Sequence, residues 1–343
     1  MSTPSTSSRT RLTDLAELAN VSTATVSRVL NGKPGVAAET RQAVLQALDL
    51  LGYERPERLR GRSKGLVGLV VPELTNPVFP LFAQRIASNL ATAGYTPLLC
   101  TQVPGGTTED EFTEMLRNHG VEGIVYVSGL HADRQAGHER YQRLRADNLP
   151  IVLVNGYLDD LDASFISADD GEAMRLAVRH LTSLGHRRIG LAVGPHRFTP
   201  VVRKIEGFAQ ALRAALDVDD PEEWVATSLF TLEGGQAAAS DLLDRGCTGI
   251  VCASDVMALG AVRAARSRGL HVPDDVSVIG YDDSPLIAFT DPPLTTIRQR
   301  VEEMSAAVVH ALLTEIDGAT APRTELVYAP ELIVRGSTAP APS

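Results

Sequence analysis

From Gly65 onward, short apolar runs alternate with amphipathic segments, and this alternation constrains the fold more than any other feature. The runs GLVGLVVPE, EGIVYVS and PIVLVN are almost unbroken in apolar residues, which is typical of parallel strands buried on both faces. The segments between the runs predict helices over residues 79–93, 110–119, 204–216 and 255–268. Alternating strands and helices predict a doubly wound α/β fold. The number of strands favours two similar lobes, each built on its own parallel sheet.

The segment LTDLAELANVSTATVSRVLN, residues 12–31, has the pattern of an all-α helix-turn-helix. Apolar residues at helical spacing give its first helix one buried face, and Asn20 tolerates the left-handed conformation that ends a helix abruptly. Ser22 is suited to cap the second helix, and a third helix is predicted over residues 38–51. An ordinary helical hairpin would show the same periodicity. Small residues at the start of the second helix and Arg28 near its end, however, suit insertion into a DNA major groove.

Charge is unevenly distributed along the chain, which has a formal net charge of −10. Residues 1–64 contain ten Lys/Arg against six Asp/Glu, a net +4, so the remaining residues together carry −14. A small basic module on a large acidic body fits DNA contact through one end only. The arginine-rich stretch ERPERLRGRSKG is either a solvated spacer or a second DNA contact, and its place between the two parts favours DNA contact.

Other features narrow the class of protein. No apolar run reaches the roughly 18 to 20 residues that a membrane helix needs. The opening MSTPSTSSRTR lacks the apolar segment of a secretory signal, so we expect a disordered leader and a cytoplasmic protein. The final STAPAPS predicts a frayed tail.

Cys100, Cys247 and Cys252 lie in apolar contexts without CxxC spacing, and we expect buried free thiols.

The sequence carries no recognisable catalytic or metal-binding motif. Its eight histidines lack metal-ligand spacing such as HExxH, and GxGxxG is absent. The carboxylate pairs Asp169/Asp170 and Asp282/Asp283 are adjacent in sequence, so their side chains point apart and are not preset for acid–base work. We therefore expect no enzyme activity, no catalytic residue, no cofactor and no metal.

Several motifs carry a resemblance to a known family. ATVSRVLNGKPGV, followed by TRQAV and LGY, resembles the DNA-binding headpiece of the lactose/galactose repressor (LacI/GalR) family of bacterial transcriptional regulators. GKPGV, PGGTTEDE, VYVSGLHAD, RKIEGF and CASDVMALGA are most similar to maltose-operon repressors of high-GC Gram-positive bacteria. The resemblance implies a bilobed, periplasmic-binding-protein-like core whose chain crosses between lobes near residues 155–164, 282–293 and 324.

The pattern and the resemblance together predict a domain organisation. We expect a leader over 1–9, a helix-turn-helix headpiece over 10–53, a hinge or linker over 54–64, an effector-binding and dimerisation core over 65–336, and a tail over 337–343. Within the core, the N-lobe is expected over about 65–160 and 293–324, and the C-lobe over about 161–292 and 325–336. The resemblance implies that Leu59 enters the minor groove, although the linker is about one helical turn shorter than is usual in the family.

The predicted DNA contacts lie mainly on and around the second helix. Arg can pair with guanine O6 and N7, and threonine or alanine methyl groups can pack on a thymine methyl. We expect Thr23, Ala24 and Arg28 to face base edges. The complete set of predicted DNA contacts is Thr13, Ser22, Thr23, Ala24, Thr25, Ser27, Arg28, Asn31 and Leu59.

The predicted effector site follows from the place where ligands bind in such folds, at the carboxyl ends of the strands. Aromatic rings there can stack on the C–H face of a sugar, and carboxylates, amides and hydroxyls can bond its hydroxyl groups. Lys204 takes the place of the family's usual Arg and lacks its planar fork. The predicted effector contacts are Phe79, Ser128, Asn155, Lys204, Phe230, Ser254 and Asp282.

Structural roles remain open for several of these positions. Phe79 would also fit a core, Asp255 would also fit the N-cap of its helix, and Asp283 would also fit a turn through Ser284 and Pro285.

The family likeness implies a homodimeric repressor of palindromic double-stranded operator DNA, with a core dimer formed around helices 79–93 and 255–268 and no membrane partner. Its effector would be maltose, a maltodextrin or a related α-glucoside, acting as inducer or co-repressor. A phosphorylated carrier protein, or another sugar such as a β-glucoside, is the alternative.

Overall fold

The computed structural model describes residues 12–52, 63–102 and 105–342, and the chain divides into two compact units, Met1–Lys64 and Gly65–Ser343. The first unit contains helices α1 (Leu12–Leu18), α2 (Thr23–Leu30) and α3 (Ala38–Leu50). Asn20 adopts a φ of 50°, and the Ser22 hydroxyl accepts a hydrogen bond from Thr25 N at 3.1 Å. The predicted helix-turn-helix and its N-cap are therefore confirmed.

A small apolar core holds the three helices together. Leu15 from α1, Val26 and Val29 from α2, and Val44 and Leu48 from α3 are all buried. Because these residues recur at helical spacing, each helix turns one face inward and leaves its polar residues accessible. Leu59, the predicted minor-groove residue, lies outside the described residues.

The second unit is built on two six-stranded sheets. The first has the order β11-β5-β4-β3-β1-β2 and the second the order β12-β10-β9-β8-β6-β7. All neighbouring strands are parallel except β10 and β12. The first sheet contains β1 (Leu66–Val71), β2 (Thr96–Thr101), β3 (Gly123–Val127), β4 (Ile151–Val154), β5 (Ser164–Ala168) and β11 (Glu325–Tyr328). The second contains β6 (Ile189–Val193), β7 (Val225–Thr227), β8 (Gly249–Cys252), β9 (Ser277–Asp282), β10 (Thr295–Arg298) and β12 (Glu331–Ile333).

Helices cover both sheets and complete two lobes, which confirms the predicted doubly wound fold. The N-lobe carries α4 (Val78–Ala93), α5 (Glu109–Asn118), α6 (Glu139–Ala146) and α11 (Val301–Ile316). The C-lobe carries α7 (Asp170–Ser183), α8 (Thr199–Leu216), α9 (Leu232–Asp244) and α10 (Asp255–Ser267). Helix α8 begins five residues before its predicted start, because Pro200 fits the first helical turn, where no backbone donor is needed.

The predicted lobe boundaries were wrong by about one strand at each crossing. Strand β5 pairs with β4, and β11 pairs with β5, so both belong to the N-lobe sheet. Strand β10 pairs with β9 in the C-lobe sheet. The chain therefore crosses after β5, after β10 and after β11, at residues 169, 299–300 and 329–330. The strands of both lobes are similarly apolar, so the sequence pattern does not show which sheet a strand joins.

The expectation of a frayed tail from residue 337 was also wrong. Ser337 is fully buried, and its hydroxyl donates to Val278 O at 2.6 Å and accepts from Thr295 N at 2.8 Å. Ala341 N donates to Leu184 O at 2.8 Å. Backbone groups of the C-lobe thus bind a tail whose composition alone gives no sign of order.

The cysteines agree with the expectation from the sequence. Cys100, Cys247 and Cys252 are buried free thiols, as predicted. Burial raises the pKa of the Cys247 thiol to about 12. No described helix combines the length and the apolar character required to cross a bilayer.

Candidate functional site

The predicted DNA-contacting residues lie around α2, at accessible positions. Thr13, Ser22, Thr23, Ala24, Arg28 and Asn31 are exposed, whereas Thr25 and Ser27 are half-buried. Asn31 ends α2 and donates to Ser27 O at 2.7 Å. The Arg28 guanidinium gives one hydrogen bond to Pro34 O at 2.7 Å, which leaves its other donors for a ligand. What these residues bind stays a prediction.

The core contains a cavity of about 470 Å³ between its lobes, at the carboxyl ends of the strands. All seven residues predicted as effector contacts lie in its wall: Phe79, Ser128, Asn155, Lys204, Phe230, Ser254 and Asp282. Cavities of about 300–1,000 Å³ with an apolar lining and a few polar groups are typical of small-molecule sites. The structure thus brings the seven predicted effector contacts together in one cavity.

Three aromatic side chains line the cavity. Phe79 lies in the first turn of α4, and Phe230 precedes α9. Phe198, which the sequence analysis missed, stands at the N-cap of α8 with its ring centroid 6.2 Å from that of Phe230. The two rings are tilted by 56°, so they form a bent apolar wall. Such a wall suits the C–H faces of a cyclic ligand.

Asp282 is the last residue of β9, and its carboxyl group is buried in the cavity wall. Gln299 donates from Nε2 to its Oδ1 at 2.7 Å. Burial, and then the nearby Asp255 carboxyl, raise the pKa of Asp282 well above its usual value. The backbone φ at Asp282 is 114°, in the left-handed half of conformational space where ordinary side chains are strained.

Lys204 is held by neighbours instead of projecting freely into the cavity. Its Nζ forms an ion pair with Asp170 Oδ1 and lies 3.9 Å from the centroid of the Tyr281 ring. The Tyr281 hydroxyl donates to the same Asp170 oxygen at 2.8 Å. The triad of Lys204, Asp170 and Tyr281 is a compact buried unit that faces the cavity.

Close packing of α7 on α8 brings the members of this triad together. A Cβ atom on Gly207 would lie only 2.6 Å from Gly171 Cα. Glycine at these positions therefore allows α8 to approach the start of α7, where Asp170 is located. The sequence analysis missed Asp170 and Tyr281, although Asp170 follows a strand in the same way as the predicted cavity residues.

The structural roles considered for Asp255 and Asp283 were wrong. Ser254, not Asp255, caps α10 by accepting from Met257 N at 3.2 Å. Asp255 accepts from Ser284 N at 2.7 Å and from Thr296 Oγ1 at 2.6 Å, and burial raises its pKa to about 6. It therefore ties α10 to the strand ends beside it.

Asp283 does not hold its own turn. Its carboxylate bonds the guanidinium groups of Arg298 and Arg335, each at 2.6 Å. The backbone N–H of Ser284 is instead bound by Asp255. Asp283 thus joins β10 to the segment after β12, close to the last two crossings between the lobes.

Backbone conformation orients the polar residues on the N-lobe side. Ser128 and Asn155 have φ values of 47° and 63°, and Asn155 Nδ2 donates to Ser128 Oγ at 3.2 Å. The sequence analysis missed Asn76 and Gln299, which also line the cavity. Asn76 Oδ1 and Gln299 Oε1 are buried without a hydrogen-bond partner, so each offers an acceptor for a ligand.

A contact between the loops after β3 and β6 joins the two lobes at the cavity. Asp133 and Phe198 form a single antiparallel backbone bridge, and Arg134 N donates to Arg197 O at 2.8 Å. Arg197 Nε lies 3.3 Å from Asp133 Oδ2. Phe198 thus takes part in this contact through its backbone while its side chain lines the cavity.

Comparisons with known proteins agree with both parts of the structure. Residues 11–56 match the family model described as bacterial regulatory proteins, lacI family, and residues 178–338 match the periplasmic binding protein-like domain. The chain is 64% identical to the HTH-type transcriptional regulator MalR of Streptomyces coelicolor, over 97% of this chain and 98% of that protein. It is 33% identical to the HTH-type transcriptional repressor CytR of Escherichia coli, over 95% of each chain.

Solved structures with the same fold include two complexes. The complex of the transcriptional regulator CelR with cellobiose matches with a TM-score of 0.71 and 31% identity, over 96% of this chain and all of the other. The lac repressor dimer bound to operator and the anti-inducer ONPF matches with a TM-score of 0.69 and 27% identity, over 96% and 99% of the two chains.

Proposed function

This chain belongs to the lacI family of bacterial regulatory proteins, and from that premise we propose that it is a cytoplasmic repressor released from its operator by a saccharide. The observation that carries the proposal is the convergence of aromatic faces, carboxyl groups and amides on one cavity of the core. The C–H faces of a neutral sugar can pack on the aromatic rings, and its hydroxyl groups can bond the carboxyl and amide groups. Members of this family are transcriptional regulators and not enzymes.

An α-glucoside, with maltose or a short maltodextrin first, is the proposed effector. This choice rests on the resemblance to maltose-operon repressors, and the 64% identity to a regulator named MalR supports it. The relative solved with cellobiose keeps a β-glucoside as the principal competitor. A phosphorylated carrier protein would need a docking surface on the core instead of a ligand in the cavity.

The proposed mechanism is a shift between two lobe arrangements. A sugar can release DNA only if it binds the DNA-incompetent arrangement more tightly than the competent one. Closure of the lobes around the sugar would move Gly65, where the core begins. Typical coupling energies of about 1–3 kcal/mol would lower operator affinity by several-fold to about a hundredfold. Reciprocally, operator DNA would weaken sugar binding by the same factor.

The experiment that tests the proposal begins by selecting the operator from a pool of random duplexes with the full chain. Fluorescence anisotropy of that operator is then titrated with maltose, maltotriose and cellobiose at fixed salt, because salt alone changes DNA affinity. Release by an α-glucoside is the expected result. Undisturbed complexes at millimolar saccharide, together with release by a phosphorylated carrier protein, would establish the alternative.

We expect the Arg28→Ala variant to bind the selected operator about 1–3 kcal/mol more weakly and to relax selectivity at one base position. The guanidinium keeps free donors for a guanine edge while it bonds Pro34 O. Arg28→Lys is the matched control, because it retains the charge but loses the planar fork, and it should lose selectivity as well. Equal losses on operator and on random DNA would show that Arg28 only holds phosphate.

We also propose a homodimer whose core interface includes α4 and α10. Leu286 and Phe289 are 76% and 85% exposed in the loop after β9, which is unusual for large apolar side chains. Arg266, at the end of α10, bonds Asp291 O in this loop, so the loop is attached to that end of α10. We expect a dimer mass in sedimentation of the full chain and a shift toward monomer for Phe289→Glu; a wild-type monomer would contradict the interface.

A further inference from the structure

The charged groups that line the cavity are mainly acidic. Among the described residues of its wall, Glu73, Asp170 and Asp282 carry carboxyl groups, and Lys204 carries the single cation. Lys204 is only 5% exposed and is already paired with Asp170. Its charge is therefore compensated before any ligand arrives.

Arginines near the cavity are committed to carboxylates as well. Arg203, next to Lys204, forms two hydrogen bonds with the Glu325 carboxylate, at 2.6 and 2.9 Å. Arg197 faces Asp133 across the lobes. An anionic ligand would have to break one of these pairs in order to gain a cationic partner.

Helix N-termini, the other usual source of anion-binding donors, have part of their first-turn donors engaged around this cavity. Phe79 N, in the first turn of α4, donates to Asn76 O at 3.1 Å, and the following Pro80 has no N–H. In α8, Pro200 likewise has no N–H, and the next backbone donor, Val201 N, bonds Phe198 O at 3.0 Å. Side chains of the protein itself cap α7, α9 and α10; these are Asp169, Thr231 and Ser254.

We propose that the cavity discriminates by charge: it accepts uncharged saccharides and rejects phosphorylated ones, because its wall carries Glu73 and Asp282 while its single cation, Lys204, is already paired with Asp170. The proposal rests on the proposed function and names the ligand class of the same site. The raised pKa of Asp282, caused by burial and by Asp255, agrees with a wall that is short of positive charge. A phosphate group in this cavity would lose hydration without gaining a free cationic partner, and its repulsion from the Glu73 carboxylate would be poorly screened in a partly dry environment.

Isothermal titration calorimetry of the full chain tests the proposal with maltose, cellobiose, their 6-phosphate monoesters and inorganic phosphate. The neutral sugar that binds should do so at least about a hundredfold more tightly than its phosphate monoester, because like charges repel strongly in such a site. Inorganic phosphate should give no saturable heat. A monoester that binds as tightly as its parent sugar would overturn the charge discrimination and leave sugar control intact. If neither class binds, both the sugar-response proposal and this inference fail.

Two variants should weaken the discrimination against the phosphate monoester. Glu73→Lys places a cation on the wall at a half-buried residue whose bond in the structure is to Thr75, so folding should tolerate it. It should raise affinity for the monoester about tenfold and leave inorganic phosphate weakly bound. Asp170→Asn should free the charge of Lys204 and have the same effect if the variant folds. Unchanged monoester affinity in folded Glu73→Lys would contradict a charge-based filter.

Discussion

Replacement of Asp282 by alanine is expected to abolish the response to the effector while operator affinity stays at the wild-type value. Its carboxyl group faces the cavity, is held by Gln299 at 2.7 Å, and has a raised pKa because it is buried. Loss of a buried group that bonds ligand hydroxyls leaves both its partner and the ligand unsatisfied, which costs about 1–3 kcal/mol per group. The anisotropy titration with saccharide measures the loss directly.

Two further variants keep this result interpretable. Alanine is strained at a φ of 114°, whereas glycine is not, so Asp282→Gly removes the carboxyl group without that strain and should give the same phenotype. Asp244→Ala, which removes an exposed carboxylate from the same lobe, should respond like the wild type. A normal sugar response in Asp282→Gly would remove Asp282 from the effector site.

The sequence predicted the elements of this fold well because periodicity reports local structure. The apolar runs before Pro72 and around Tyr126 predicted buried strands, and the helix-turn-helix carried its own cap at Ser22. Periodicity does not report which sheet a strand joins. Strand β5 was therefore placed in the wrong lobe, although its position along the chain was clear.

The cavity shows the same division between local and distant information. Residues at strand ends, such as Asn155 and Asp282, could be predicted as cavity residues because the carboxyl ends of parallel strands lie at the same edge of a sheet. The pairing of Lys204 with Asp170 joins positions 34 residues apart and depends on the close approach of two helices. No spacing rule in the sequence encodes such a contact, and the contact between Asp133 and Phe198 was missed for the same reason.

Lys204→Met should destabilise the core by about 3–5 kcal/mol, because it leaves Asp170 as a buried charge without its cationic partner. The remaining hydrogen bond from Tyr281, at 2.8 Å, compensates only part of that cost. Methionine fills a volume close to that of the lysine stem, so the loss of packing is small. The midpoint of denaturant unfolding of the full chain, compared with the wild type, measures the effect.

The double variant Lys204→Met/Asp170→Asn separates charge from shape. The amide oxygen of the introduced asparagine would still accept the Tyr281 hydrogen bond, and no buried charge would remain, so the double variant should recover most of the lost stability. Arg245→Ala, which breaks the surface pair with Asp241, is the matched control and should cost less than about 1 kcal/mol because solvent screens that pair. A Lys204→Met loss no larger than that of Arg245→Ala would show that Asp170 is neutralised by other means. In that case Lys204 would be available to a ligand, and the cavity would no longer be expected to reject anions.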